Sequence, residues 1–255
     1  MPDYSTPAIM IRRIDFGDYD LITTFLTLNN GKITLIAKSA KKSTKRFGGI
    51  LELFSVLQVV YNTGNGKNLP ILKEAVLKHP FSMIRTNIKK TAYASYWAEL
   101  IDKWTQKNEK QIQLFNLFYH VLERLDKSNE PVEVISILFQ IKFLSLSGIC
   151  PNIACCLKCN TAIENISHNL ISFDLAKGSI LCNKCNLKSS RQKLISKGTI
   201  KQLLWLKKNS LAIAQRIKFT PNTLTESLNL LENFAAYHMD NTPKSLSFLN
   251  QIRKN

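Results

Sequence analysis

Two C-x-x-C pairs constrain this chain more than any other feature: Cys156-Leu-Lys-Cys159 and Cys182-Asn-Lys-Cys185. A two-residue gap lets both thiolates of a pair face one ion from a tight turn, and two such turns complete a tetrahedral sulfur site. Residues 160–181 separate the pairs. This is slightly more than a zinc ribbon usually carries, but lengthening a loop costs little entropy. Lys158 and Lys184, inside the pairs, favour thiolates electrostatically. The expectation is one structural Zn2+ on Cys156, Cys159, Cys182 and Cys185, with every coordination position filled by protein and none left for a reactive water. Cys155 adjoins Cys156 and is an alternative ligand. Cys150 reads as a small buried residue just past a helix end, and His168 as a solvent-exposed one.

The charge balance points to the partner. Thirty-five basic residues against 18 acidic ones give a formal charge of +17, and a surplus of this size calls for a polyanion, most commonly nucleic acid. The charge is clustered. Lys32, Lys38, Lys41, Lys42, Lys45 and Arg46 fall within fifteen residues with no acid among them, and residues 175–225 hold eleven basic residues and no Asp or Glu. The first cluster is the candidate DNA-binding set. A mobile loop there can lay several cations along a phosphate backbone, with Ser39, Ser43 and Thr44 adding hydrogen bonds. Phe47 either stacks on a base or packs in the core.

Other chemistries find no support. Gly64-Asn65-Gly66-Lys67 lacks the spacing of a phosphate loop. No His is followed two residues later by Glu, as a zinc deaminase needs, and no G-x-S-x-G occurs. Asp15, Asp18 and Asp20 shape a turn and do not build a cation loop. The chain is therefore expected to be no enzyme, with no catalytic residues. Its start has no signal-peptide pattern and it has no run of about 20 apolar residues, so a cytoplasmic location is expected, with thiols in place of disulfides.

The first 80 residues read as five short strands: Ala8–Arg13, Leu21–Thr27, Lys32–Lys38, Ser55–Tyr61 and Ile71–Leu77, with turns at Asn29-Asn30-Gly31 and Thr63–Gly66. Five strands in this length suit a small closed barrel of the OB type. After His79-Pro80 the period becomes helical. Helices are expected over Ser82–Trp104, Lys110–Leu125, Pro131–Ser147 with Gly148 as cap, Ile200–Lys208 and Asn222–His238.

These features in this order resemble the bacterial recombination mediator family RecO along nearly the whole chain. Gly17-Asp18-Tyr19-Asp20 leading into Leu21–Thr27 is similar to the family's opening. Ala37-Lys38-Ser-Ala-Lys41-Lys42, followed by Arg46-Phe47-Gly48-Gly49, is similar to its basic loop. Gly148, Pro151, the two cysteine pairs and Lys177-Gly178 resemble its zinc module, and His238 with Lys244–Leu249 its closing helix and tail. Ser39 stands where that family usually has Gly. The resemblance implies an α+β multidomain protein: an N-terminal OB-fold β-barrel (1–80), a helical domain (81–150 and 190–255) and an inserted four-cysteine zinc finger (151–189). It further implies a nucleoid-associated protein that binds single- and double-stranded DNA and anneals complementary strands. With RecR, such proteins help RecA onto strands coated by single-strand-binding protein (SSB), docking on the acidic C-terminal tail of SSB. An RNA-binding or ribosome-associated OB/zinc-ribbon protein is the alternative from residues alone.

Overall fold

The computed structural model describes residues 2–63, 68–186, 192–214, 216–239 and 242–254. Most of the expected turn at Thr63–Gly66, and the basic residues 188 and 191, lie outside them. The chain forms two compact units, one of Met1–Ser128 with Phe248–Asn255, the other of Asn129–Ser247. The division falls inside the region expected to form a single helical domain.

The first unit is built on a closed barrel of five strands: β1 (Asp3–Phe16), β2 (Asp20–Thr27), β3 (Gly31–Ala37), β4 (Val56–Asn62) and β5 (Ile71–His79), in the order β1-β2-β3-β5-β4. β1 is far longer than its apolar centre. Asp3–Ile9 pairs with β4 and Ala8–Phe16 with β2, and an irregularity between Met10 and Arg12 bends the strand from one neighbour to the other. The ends carry Asp3, Pro7 and Asp15, poor strand formers held by pairing and not by propensity. Closure is made by β3 and β5, which run parallel and share the single register pair Ile36–Ile71. Alternate residues fill the interior, among them Met10, Phe25, Leu35, Leu57, Val59 and Leu72, all 0% exposed.

Against the barrel stand α1 (Ser82–Arg85), α2 (Ile88–Trp104) and α3 (Ile112–Lys127). The single helix expected over Ser82–Trp104 is interrupted at Asn87, which is extended (φ −123°, ψ 115°) and caps α2 by accepting from Lys90 N–H. At the β2–β3 turn, Gly31 (φ +65°) lets the backbone approach the α2–α3 connection so closely that a Cβ would lie 1.9 Å from the Glu109 carbonyl oxygen. Asn108 N–H donates to Lys32 O there at 3.0 Å.

The second unit holds α4 (Val132–Leu146), β6 (Asn152–Cys156), β7 (Leu170–Asp174), β8 (Ser179–Leu181), β9 (Gln192–Ser196), α5 (Lys197–Lys208), α6 (Leu211–Ala214) and α7 (Pro221–His238). Gly148 at φ +75° ends α4, as expected. The strands form a sheet in the order β6-β8-β7-β9, which sequence periodicity did not predict. α5 and α7 pack on α4 and on the sheet side. Phe173 meets Phe234 edge-on, with centroids 6.0 Å apart. Glu226 of α7 accepts from Ser196 N–H (3.0 Å), Ser196 Oγ (2.6 Å) and Thr199 Oγ1 (2.5 Å), tying α7 to the start of α5. The last helix is α8 (Lys244–Ile252), whose end belongs to the first unit. Among the described residues, no helix is long and apolar enough to cross a membrane.

Candidate metal centre and basic surface

β6 and β8 are parallel neighbours, with Cys156 in register with Ile180. Parallel strands end on the same side, so the turn after β6 and the turn after β8 emerge together. The first turn is closed by Asn160 N–H donating to Cys156 O and Cys156 N–H donating to Thr161 O, both 2.9 Å, with Asn160 in the left-handed region (φ +56°). The second is closed by Cys185 N–H donating to Cys182 O at 3.0 Å. The four sulfurs of Cys156, Cys159, Cys182 and Cys185 consequently lie within 4.8 Å of one another, with Cys159 and Cys182 Sγ 3.6 Å apart. A tetrahedral ion at a sulfur distance of about 2.3 Å needs sulfurs about 3.8 Å apart, so the cluster fits one metal ion. Cys155 is in a backbone bridge with Ala162 and outside the cluster. Cys150 is outside it too and accepts from Ser145 Oγ at 3.3 Å. Of the two adjacent cysteines, it is thus Cys156 that joins the group.

The electrostatics favour a cation. The Thr161 hydroxyl, 3.1 Å from Cys159 Sγ, helps bring that thiol down to about 6. Cys185 is pushed up to about 12 by hydrogen bonding to the sulfurs of Cys159 and Cys182. Four crowded sulfurs without a counter-charge must share protons, and a divalent ion held by the four thiolates would take the place of those protons. His168 is exposed and lines the open cavity beside the cluster.

The basic segment after β3 is an ordered turn. Ser39 sits at φ +57° and its N–H donates to Asp20 Oδ1 at 2.7 Å. Ser43 Oγ accepts from the N–H groups of Arg46 and Phe47. Ala40, Phe47 and Leu51 are buried with the barrel core. These contacts give the segment a defined turn, and Phe47, 2% exposed, packs in the core and does not offer a face to a base. Lys38, Lys41, Lys42, Lys45 and Arg46 are exposed around this pinned turn.

The β1–β2 hairpin tip supplies what sequence inspection missed. Lys41 Nζ is 3.2 Å from the Asp15 carboxylate and donates to Gly17 O at 3.1 Å. Lys42 Nζ lies 3.5 Å above the Tyr19 ring. Arg46 donates to Lys38 O at 3.1 Å. Half-exposed Tyr19, with Phe16 on the same tip, thus brings aromatic surface to the cations. Tyr19 precedes Lys38 by 19 residues, and only the pairing of β1, β2 and β3 brings them together, so no local sequence pattern marks the contact. Lys32 parts from the set. It is buried, donates to the Asp102 backbone carbonyl, and its ammonium lies 3.3 Å from the Asp102 carboxylate. Its ammonium is thus engaged in the barrel wall beside α2, while the other five are exposed.

In the second basic stretch, Lys197 is tied to the carbonyls of Glu164 and Ile166. Lys201, Lys207 and Lys208 are exposed on α5.

Comparisons with known proteins bear on these features together. The family model described as "Recombination protein O N terminal" matches residues 1–81, and "Recombination protein O C terminal" matches residues 85–247. Among curated relatives, the DNA repair protein RecO of Desulfatibacillum aliphaticivorans is 43% identical over 100% of this chain and 99% of its own length. That of Desulfosudis oleivorans is 41% identical over 99% of each. That of Syntrophus aciditrophicus is 30% identical over 98% of this chain and 96% of its own length.

Proposed function

Because this chain belongs to the RecO family of DNA repair proteins, we propose that it binds single- and double-stranded DNA and anneals complementary strands. In this reading, with RecR, it helps RecA replace SSB on coated single strands, and it docks on the acidic C-terminal tail of SSB. It works at the nucleoid, in the cytoplasm.

The observation that carries the reading is the turn on the barrel, where five exposed cations gather and one of them, Lys42, lies over the exposed Tyr19 ring of the β1–β2 tip. Two DNA strands repel each other. A rigid cationic surface lowers the cost of bringing them together, and aromatic faces stack on unpaired bases without reading sequence. Exposed lysines of α5 offer a second basic surface for the other strand. None of this needs a chemical step. The ion in the four-cysteine cluster is one structural Zn2+, since all four ligands are thiolates and the tetrahedral spacing suits it.

The test is annealing of complementary strands coated with SSB that carries or lacks its acidic tail. Tail-dependent annealing supports the reading; the absence of any annealing removes it. Single-strand affinity should fall with a log–log salt slope of about −3 to −4 for five phosphate contacts. Competition between single-stranded DNA and RNA of the same length addresses the RNA-binding alternative, which gains if RNA wins.

A further inference from the structure

A second feature of the barrel lies at the opposite end of β3 from the basic turn. Because β3 and β5 meet only at Ile36–Ile71, with Ile36 N–H donating to Pro70 O at 2.9 Å, they part below that point. The gap opens into a cavity of about 420 Å³. Its wall carries Tyr4 and Tyr61, cross-strand partners whose rings stack with centroids 5.5 Å apart and 23° between planes. Tyr61 is 4% exposed and fixed, while Tyr4 is 39% exposed. Asn30, Asn68, Asn108 and Lys107 stand around the cavity, and among the described residues no acidic one lines it. Lys32 also lines the cavity but is engaged by Asp102, whereas Lys107, among the described residues, has no ion-pair partner.

We propose that this cavity is a nucleobase subsite, taking one unstacked base of a single strand against Tyr4, with an adjacent phosphate on Lys107. The inference rests on the nucleic-acid reading above and places within it a contact that the basic turn does not make. An aromatic pair already stacked extends naturally by one more ring. Amides are the side chains that pair with base edges, and a cation in an acid-free rim suits the phosphate. β3 has seven residues, so the cavity and the basic turn stand roughly 20 Å apart along it. A single strand can run from one to the other. A duplex keeps its bases paired and cannot fill the cavity.

The test uses the full-length, metal-loaded protein and equilibrium binding at one salt concentration. The probes are an oligothymidylate strand, a strand of the same length made wholly of abasic sites, and a duplex. Tyr4→Ala should weaken binding to the oligothymidylate about tenfold and leave the abasic strand and the duplex unchanged, and Tyr4→Phe should bind within about twofold of the parent. Lys107→Ala should lower the single-strand salt slope by about 0.7. Parent-like binding of the abasic strand and the duplex shows that Tyr4→Ala is folded. Equal loss on all three probes, or no loss on oligothymidylate, overturns the subsite while the nucleic-acid reading stands. Failure of the unaltered protein to bind any probe in dilute buffer overturns both.

Discussion

The Lys32 ammonium lies 3.3 Å from the Asp102 carboxylate and donates to the carbonyl of the same residue. One cation thus holds the barrel wall to α2 through two contacts, and Arg12, 3.8 Å from the other Asp102 oxygen, completes the group. Replacing Lys32 with Met should cost about 2 kcal/mol, because Asp102 keeps only its more exposed partner. The single-strand salt slope should not change. Lys38→Ala and Lys45→Ala should do the reverse, lowering the slope by about 0.7 each with no loss of stability. Denaturant titration and salt-dependent binding on the same samples separate the two roles. A slope that responds to Lys32 would return that residue to the DNA-facing set.

The cysteine cluster makes a sharp distinction between neighbours. Cys156→Ser should reduce bound metal from one ion per chain to much less and unfold the two turns, whereas Cys155→Ser should keep the ion. Metal analysis after exhaustive dialysis reads the difference. Chelation of the parent protein should lower its melting temperature, since binding free energy at such sites is folding free energy.

Gly31 is irreplaceable where it stands. A Cβ there would meet the Glu109 carbonyl oxygen at 1.9 Å, and its φ is +65°. Gly31→Ala should cost about 3 kcal/mol or more, from backbone displacement added to left-handed strain. Gly49→Ala shares the positive φ (+72°) but meets nothing within 4 Å, and should cost only about 1 kcal/mol. Urea midpoints of the two variants measure the difference.

Glu226 gives a pH dependence with a definite sign. Burial raises its pKa, but the donors Ser196 and Thr199 outweigh that effect and hold it below the ordinary carboxylate value of 4.5. A folded-state pKa below the unfolded one adds stability that is fully present above about pH 4.5 and is lost as pH falls through the folded value. Glu226→Gln should be less stable than the parent at pH 7 by about 1 kcal/mol, a figure reduced for partial exposure. The gap should close as pH falls below about 4.5. Melting both proteins from neutral into acid checks it, and a gap that widens in acid would reverse the assignment.

The barrel was legible because β2 is dense in β-forming residues and β3 alternates Ile33, Leu35 and Ala37 with Lys32, Thr34 and Ile36. The ends of β1 were not, since Asp3, Pro7 and Asp15 are placed by partners distant in sequence. The cysteine quartet was readable from spacing alone. The sheet that carries it was not: its strands have three to five residues, too few for periodicity to speak. The break at Asn87 was hidden because apolar spacing continues across it, and only the cap reveals it. Lys32 looked like its neighbours because its partner is 70 residues away. Ser39 occupies the left-handed region, a conformation that glycine adopts most readily and that its sequence neighbours do not announce.

Arg253 grips the Tyr93 hydroxyl with two nitrogens, at 2.9 and 2.7 Å, and lies 4.9 Å over its ring. The unit that begins the chain is thus finished by residues at its far end. During synthesis on the ribosome, the barrel and its first helices emerge well before their final clasp. Until Arg253 leaves the exit tunnel, the Tyr93 hydroxyl lacks this guanidinium, and the first unit stays without its clasp while the unit that carries the four cysteines is made.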